Sequence, residues 1–279
     1  MKQLLRFFSA LMLLTMACVV PGLSTDSPQP APTPDTRLEN MVALTVSAAL
    51  EMTQQAVPTA TLRPTSTPEP TATATPQVDS SGSSLFQSDD GPSIFIDERG
   101  KYQIATTGEL IALRINQQEF LDAWLLPAAS NPAIQNQLGK IQEQDPNIYR
   151  LFVLDFNEEH IDGGFVTNIN FLLDDLNELS LADETGIVEI ADSYKESLPN
   201  SEVLTTELVT LDSGIVAGVI TSSMPATTLE GVEIVVFQKQ AFFDLPTGTL
   251  IVTLSTTETW QETIEPLFDE MLETFALVD

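Results

Sequence analysis

The chain has 279 residues and a net charge of −29, from 11 basic and 40 acidic side chains. A charge of that size and sign repels nucleic acid and anionic membrane surfaces, which excludes a DNA- or RNA-binding role. One cysteine, Cys18, and one histidine, His160, exclude an internal disulfide framework, a cysteine-based zinc site and a multi-histidine metal centre.

At the N-terminus, Lys2 and Arg6 precede an apolar run over residues 7–14 that ends in small residues before Cys18. This is the pattern of a signal peptide at 1–17, too short for a membrane-spanning helix. Residues 14–18, Leu-Thr-Met-Ala-Cys, resemble the bacterial lipoprotein signal, in which the cysteine is acylated and becomes the new N-terminus. Thr15 stands where that signal usually carries leucine, and Met16 is large for its position. The resemblance implies lipidation at Cys18 and a membrane anchor on the extracytoplasmic side, with a plain secreted protein as the alternative.

Residues 18–84 read as a disordered tether. Leu38, Val42, Thr45, Ala49 and Met52 mark a short helix over 36–55, which Pro58 ends. Residues 57–84 are a Pro/Thr/Ser-rich stalk with too little apolar surface to offset the entropy of ordering. Five prolines bias it toward extended polyproline II. Its reach lies between roughly 30 Å as a flexible coil and about 85 Å fully extended.

Residues 85–279 are one domain by size. Short strands are expected over 93–97 and 101–106 around the turn Glu98-Arg99-Gly100, and a third over 110–115. Helices are expected over 119–126, with Leu121, Trp124 and Leu125 as its apolar patch, and over 132–144, with Ile134, Leu138 and Ile141 at helical spacing. Residues 148–156 read as a strand. The segment 165–175, FVTNINFLLDD, alternates as a central strand buried on one side. Phe165, Ile169, Phe171 and Leu173 face the core, interrupted by Thr167, and Asn168, Asn170 and Asp174 lie on the opposite, mostly polar face.

Ser180 is the expected N-cap of the next helix, with Asp183 three residues on and Glu184 beside it. Ile187, Ile190, Ala191, Tyr194 and Leu198 form its inner face. Strands follow over 203–211, 215–224, 232–242 and 249–254, the first two joined by the turn Asp212-Ser213-Gly214. A closing helix over 256–275 carries Trp260, Ile264, Leu267, Phe268, Met271 and Phe275 on its core stripe. Pro266 lies inside it, so a kink or break is expected there. The order reads as α+β, an antiparallel β-sheet covered by helices.

The strand GFVTNINFLLDDL, the helix opening SLADE and the last helix WQETIEPLFDEMLETF, in this order, resemble the PsbP-like fold family. That family includes the photosystem II extrinsic subunit PsbP, the Ran-binding protein Mog and bacterial lipoproteins of the LpqN type. The resemblance covers residues 93–277, with 117–147 its least typical part. It implies an αβα sandwich and a binding or assembly role, often on an extracytoplasmic membrane face. It transfers no catalytic residues.

His160 sits in a loop beside Glu158, Glu159 and Asp162 and reads as a solvated surface histidine. No G-x-S-x-G turn marks a serine nucleophile for it, so an enzyme, such as a hydrolase, is the least supported class. Asp155, Asn157, Glu159 and Asp162 supply oxygens of the kind calcium prefers, but their spacing misses the EF-hand pattern, and loose cation attraction is the plainer reading. Asn168 and Asn170 face either a ligand or neighbouring backbone groups. Asp183, Glu184, Glu189, Asp192 and Glu196 make a solvated helix face. No phosphate loop and no cofactor motif occurs.

The expected function is therefore a membrane-anchored extracytoplasmic lipoprotein with a non-enzymatic domain that binds an envelope protein partner or assists assembly. The alternative is a lipoprotein that captures a small apolar molecule or a cation between sheet and helices. A deep apolar pocket favours the second, and a filled core with an exposed patch favours the first.

Overall fold

The structure, a computed structural model, describes residues 82–87, 91–176, 179–197, 200–228 and 231–278. The signal peptide at 1–17, Cys18, the segment 36–55 and the stalk up to residue 81 lie outside the described residues.

Alternating apolar residues and turn-forming glycines give two antiparallel sheets. The smaller sheet pairs β1 (Ser83–Phe86) with β2 (Ile94–Asp97), β2 with β3 (Tyr102–Ala105), and β3 with β11 (Ala276–Leu277). The larger has seven strands in the order β4-β5-β6-β10-β9-β8-β7. These are β4 (Ile111–Leu113), β5 (Tyr149–Leu154), β6 (Asn168–Asp174), β7 (Glu202–Thr210), β8 (Val216–Thr227), β9 (Glu233–Leu245) and β10 (Gly248–Thr257). Four helices accompany them among the described residues: α1 (Gln118–Ala123), α2 (Pro132–Gln142), α3 (Thr185–Ser197) and α4 (Gln261–Glu273). The expected α+β architecture is present.

Each face of the seven-stranded sheet has its own core. On one, Leu172, Ile220, Phe242 and Ile251 meet Phe120 of α1, Ile134 and Leu138 of α2, and Ile187 and Tyr194 of α3. On the other, Phe171, Phe243, Val252 and Leu254 meet Ile264, Phe268 and Met271 of α4 together with Phe95, Tyr102 and Ile104 of the small sheet. The second layer is therefore a helix plus a small sheet. Two glycines let the parts close. A Cβ on Gly218 of β8 would stand 2.9 Å from Ile187 Cδ1, so its absence lets α3 approach. Gly248 has φ +133°, and a Cβ there would meet the Asp174 carbonyl oxygen at 2.3 Å, which reserves the β9–β10 turn for glycine.

Several expectations are corrected. The segment 165–175 begins its strand at Asn168, and the strand is buried on both faces, since all of β6 is inaccessible. It is flanked by β5 and β10, and the middle of the sheet is β10. Leu121, Trp124 and Leu125 do not pack inward. Phe120 and Ala123 anchor α1 instead. The Ser180 turn precedes the helix, which starts at Thr185. Ser180 Oγ accepts from the Ala182 N–H (3.5 Å), and Asp183 accepts from the Thr185 N–H (2.9 Å). Hydrogen bonds from the Thr185 side chain and backbone hold the Asp183 carboxyl below its ordinary pKa.

The closing helix starts at Gln261 because residues up to Thr257 continue β10, and it runs unbroken through Pro266. Pro266 is exposed, so the helix carbonyl it leaves unbonded has water to meet. Two short strands were not foreseen, β1 and β11. The former begins at Ser83, before the expected domain start. Asn131 caps α2 by accepting from the Ala133 N–H (2.9 Å), with Pro132 in the first turn.

Candidate functional site

Three places hold the polar side chains that chemistry would need. The first is the loop after β5. Asp155 is almost wholly buried; its Oδ1 accepts from the Asn157 N–H (2.8 Å), and its Oδ2 lies 2.6 Å from His160 Nδ1. The Asn157 side-chain Oδ1 accepts from the Glu159 N–H (3.1 Å) and caps the 3-10 turn Glu158–His160, while its Nδ2 stands 3.1 Å from His160 Nε2. An imidazole protonated on Nδ1 satisfies both contacts, donating to Asp155 and accepting from Asn157. The Trp260 ring covers the imidazole at 4.4 Å between centroids. His160 is thus a half-buried part of the loop's framework, where the sequence reading has a solvated side chain.

The four oxygen-bearing residues of this loop do not converge. Asp155 and Asn157 are engaged as described, and Asp162 Oδ2 accepts from the Thr259 hydroxyl (2.9 Å). Glu159 is exposed. Among the described residues no three His, Cys, Asp or Glu groups form a cluster that would hold a metal ion. An open cleft of about 440 Å³ lies beside Asp162, lined also by Glu233, Ile234, Val235, Glu258 and Thr259.

The second place is a polar strip on the sheet face that carries the α1, α2 and α3 core. Asn168 and Asn170 of β6 stand in register with Ser255 and Thr253 of β10, which stand in register with Gln238 and Gln240 of β9. All six side chains are buried. Gln238 Nε2 donates to Ser255 Oγ (3.0 Å), and Gln240 Nε2 donates to Thr253 Oγ1 (3.1 Å). The Tyr194 hydroxyl of α3 donates to Gln240 Oε1, and Asn168 Nδ2 donates to the Val166 carbonyl (3.1 Å). Asn170 Oδ1 has no hydrogen-bond partner among the described residues. The two asparagines belong to a ladder of amides and hydroxyls across three strands. Gln238, Gln240, Thr253 and Ser255 were missed, although each strand carries polar side chains two apart, N-x-N, Q-x-Q and T-x-S, at parities that the pairing brings together.

The third place is the end of α1. Leu121, Trp124, Leu125 and Leu126 are all exposed there. Beside them an open groove of about 280 Å³ runs between Gln87, Ser93, Leu110, Glu119, Ala123 and Leu126.

No family model matches the chain, and no curated relative does. Solved structures do. The chain is similar to the solution structure of cyanobacterial PsbP (CyanoP) from Synechocystis sp. PCC 6803, with 14% identity, 68% of this chain and 94% of that one covered, and a TM-score of 0.41. It is similar to the Ran-binding protein Mog1p of Saccharomyces cerevisiae, at 13% identity over 68% of this chain and 97% of that one, with a TM-score of 0.37. LpqN of Mycobacterium tuberculosis, titled as involved in cell envelope biogenesis, matches at 16% identity over 50% of this chain and 69% of that one, with a TM-score of 0.27. These are the PsbP-like proteins that the sequence resembles. The likeness is one of fold.

Proposed function

We propose that the chain is an extracytoplasmic lipoprotein, anchored to the membrane through an acyl group on Cys18, whose folded domain is a non-enzymatic module that binds an envelope protein partner. The observation that carries this reading is the filled interior. Both faces of the seven-stranded sheet are covered by packed side chains, Asn168 and Asn170 are buried, and Tyr194 of α3 closes on the ladder at Gln240. The clefts at Asp162 and at α1 are open surface features. A domain built this way offers its surface to a partner, and small-molecule sites are instead concave and enclosing. His160 adds to the case. Its Nε2 meets the Asn157 amide and its face meets Trp260, so neither is directed at a nucleophile.

Among the described residues no helix is long and apolar enough to cross a membrane. The anchor in this reading is Cys18, and it has a direct test. Cells fed a fatty-acid analogue should label the wild-type chain and not Cys18→Ser; equal labelling of both would end the anchor claim. For the partner, affinity capture by the full chain from the native envelope should return a stoichiometric protein. Native mass spectrometry that finds a bound small molecule and no protein would overturn the module reading in favour of a ligand carrier.

A further inference from the structure

Large exposed apolar side chains are scattered singly over the described domain except at one place, the end of α1. Leu121 lies in the last turn of α1, and Trp124, Leu125 and Leu126 lie in the turn that follows it. Leu125 is 82% exposed and Leu121 is 54% exposed. The tip is held from beneath, because Phe120 and Ala123 are in the core and the Phe120 and Trp124 rings meet edge-on at 6.4 Å between centroids.

Its surface is poor in charge for this protein. Residues 123–139 contain no charged side chain in a chain of net charge −29, and the exposed Asp122 is the one carboxylate within the tip 121–126. The chain also enters the folded domain next to it. Arg114 donates to the Ser83 carbonyl (2.8 Å) and pairs with Glu119 in the first turn of α1.

We infer that this tip seats in the surface of a lipid bilayer with zwitterionic headgroups. The inference rests on the anchored reading above and says which way the domain faces. Tryptophan and leucine on a small convex tip partition into the headgroup and upper acyl region. The acidic surface is repelled by anionic lipid, so a pole that carries only the Asp122 carboxylate approaches a zwitterionic surface most readily. Four side chains are too few for a lasting protein interface, which buries about 800 Å² per partner. For a domain already tethered to the bilayer, weak insertion is enough, since the tether supplies the effective concentration.

The test uses the full chain carrying Cys18→Ser, which removes any acyl anchor, and Trp260→Phe, which leaves Trp124 as its one tryptophan of the two. Mixed with phosphatidylcholine vesicles, Trp124 emission should shift to the blue, and bromine on the acyl chains should quench it. Adding Leu125→Glu should lower partitioning about tenfold or more, the scale expected for withdrawing one leucine from an apolar phase. Leu125→Ser is the milder second variant, and circular dichroism checks that both fold. The apolar run at 7–14 is common to all variants and cancels in the comparison. Trp124 emission indifferent to brominated lipid would overturn the inference. Self-association relieved by Leu125→Glu, with no response to vesicles, would also overturn it and give the tip to a second copy. Fatty-acid labelling of Cys18 reads the anchor separately, so the two failures are distinguishable.

Discussion

The two faces of the seven-stranded sheet are built on different principles. The face under α4 and the small sheet is apolar. Phe275 lies between Tyr102 and Phe243, with ring centroids 5.6 and 4.0 Å away. A fully buried charge pair, Arg150 with Asp97, ties the two sheets together through bonds of 2.6 and 3.0 Å. Arg150 is the extra residue of a β-bulge between Tyr149 and Leu151, and the bulge turns its side chain toward β2. The face under α1, α2 and α3 carries the ladder of asparagine, glutamine, serine and threonine. An apolar layer gains free energy from burial but tolerates sliding. A hydrogen-bonded layer gains less and fixes one register between Tyr194 of α3 and Gln240 beneath it.

The largest effect that would break this contrast is expected at the ion pair. Asp97→Ala leaves Arg150 charged and buried without its carboxylate, and it also removes the acceptor of the Arg99 and Gly100 N–H groups. A loss of about 3–5 kcal/mol in urea unfolding is expected, similar to the loss for Phe275→Ala on the same face. An Asp97→Ala chain within about 1 kcal/mol of wild type would show that the pair is not what joins the sheets.

Alkaline pH probes both faces at once. The three tyrosines, Tyr102, Tyr149 and Tyr194, are all buried. Burial pushes the Tyr149 phenol up to about 12, and it raises Tyr102 and Tyr194 as well, with the Asp97 charge adding to the shift at Tyr102. A folded pKa above the unfolded value of 10 means that the stabilisation is complete below pH 10 and is lost as pH climbs toward 12. Tyrosinate absorbance should therefore rise together with loss of far-ultraviolet dichroism. A simple titration centred at pH 10 in a chain that stays folded would contradict the burial of these side chains. The smallest effect belongs to the ladder. Tyr194→Phe should cost on the order of 1–2 kcal/mol, because Gln240 Oε1 then loses its donor in a dry site.

Much of the larger sheet was legible because its strands are long and their apolar residues alternate. The polar face of β6 was misread for a reason that the ladder makes plain. Period-2 alternation tells which residues share a face, and it does not tell whether that face meets water or a row of matching amides. The partners of Asn168 and Asn170 come from strands about 70–90 residues away, and only the pairing reveals them. At α1 the spacing was read correctly and assigned to the wrong environment. The helix ends at Ala123, and its buried side is Phe120 and Ala123, while Leu121 and the turn residues Trp124 and Leu125 that follow it are exposed. So short a helix has apolar residues on more than one side, and periodicity does not choose among them. The start of α3 was displaced because Ser180 and Asp183 have the spacing of a capping box, whereas Asp183 itself caps the helix. β1 and β11, four and two residues long, carry too little pattern to stand out from a loop.

One small contact joins distant parts of the chain. The Thr274 hydroxyl accepts from the Ala105 N–H (2.8 Å) across 169 residues, and β11 adds itself to β3 at the same seam. The small sheet therefore takes one edge strand from residues 276–277 and the rest from residues 83–105, and Phe275 joins its stack to Tyr102. Contacts between partners so far apart in sequence carry a large loop-closure cost, so protection of the β11 and Ala105 amides is expected to appear late in a refolding hydrogen-exchange experiment.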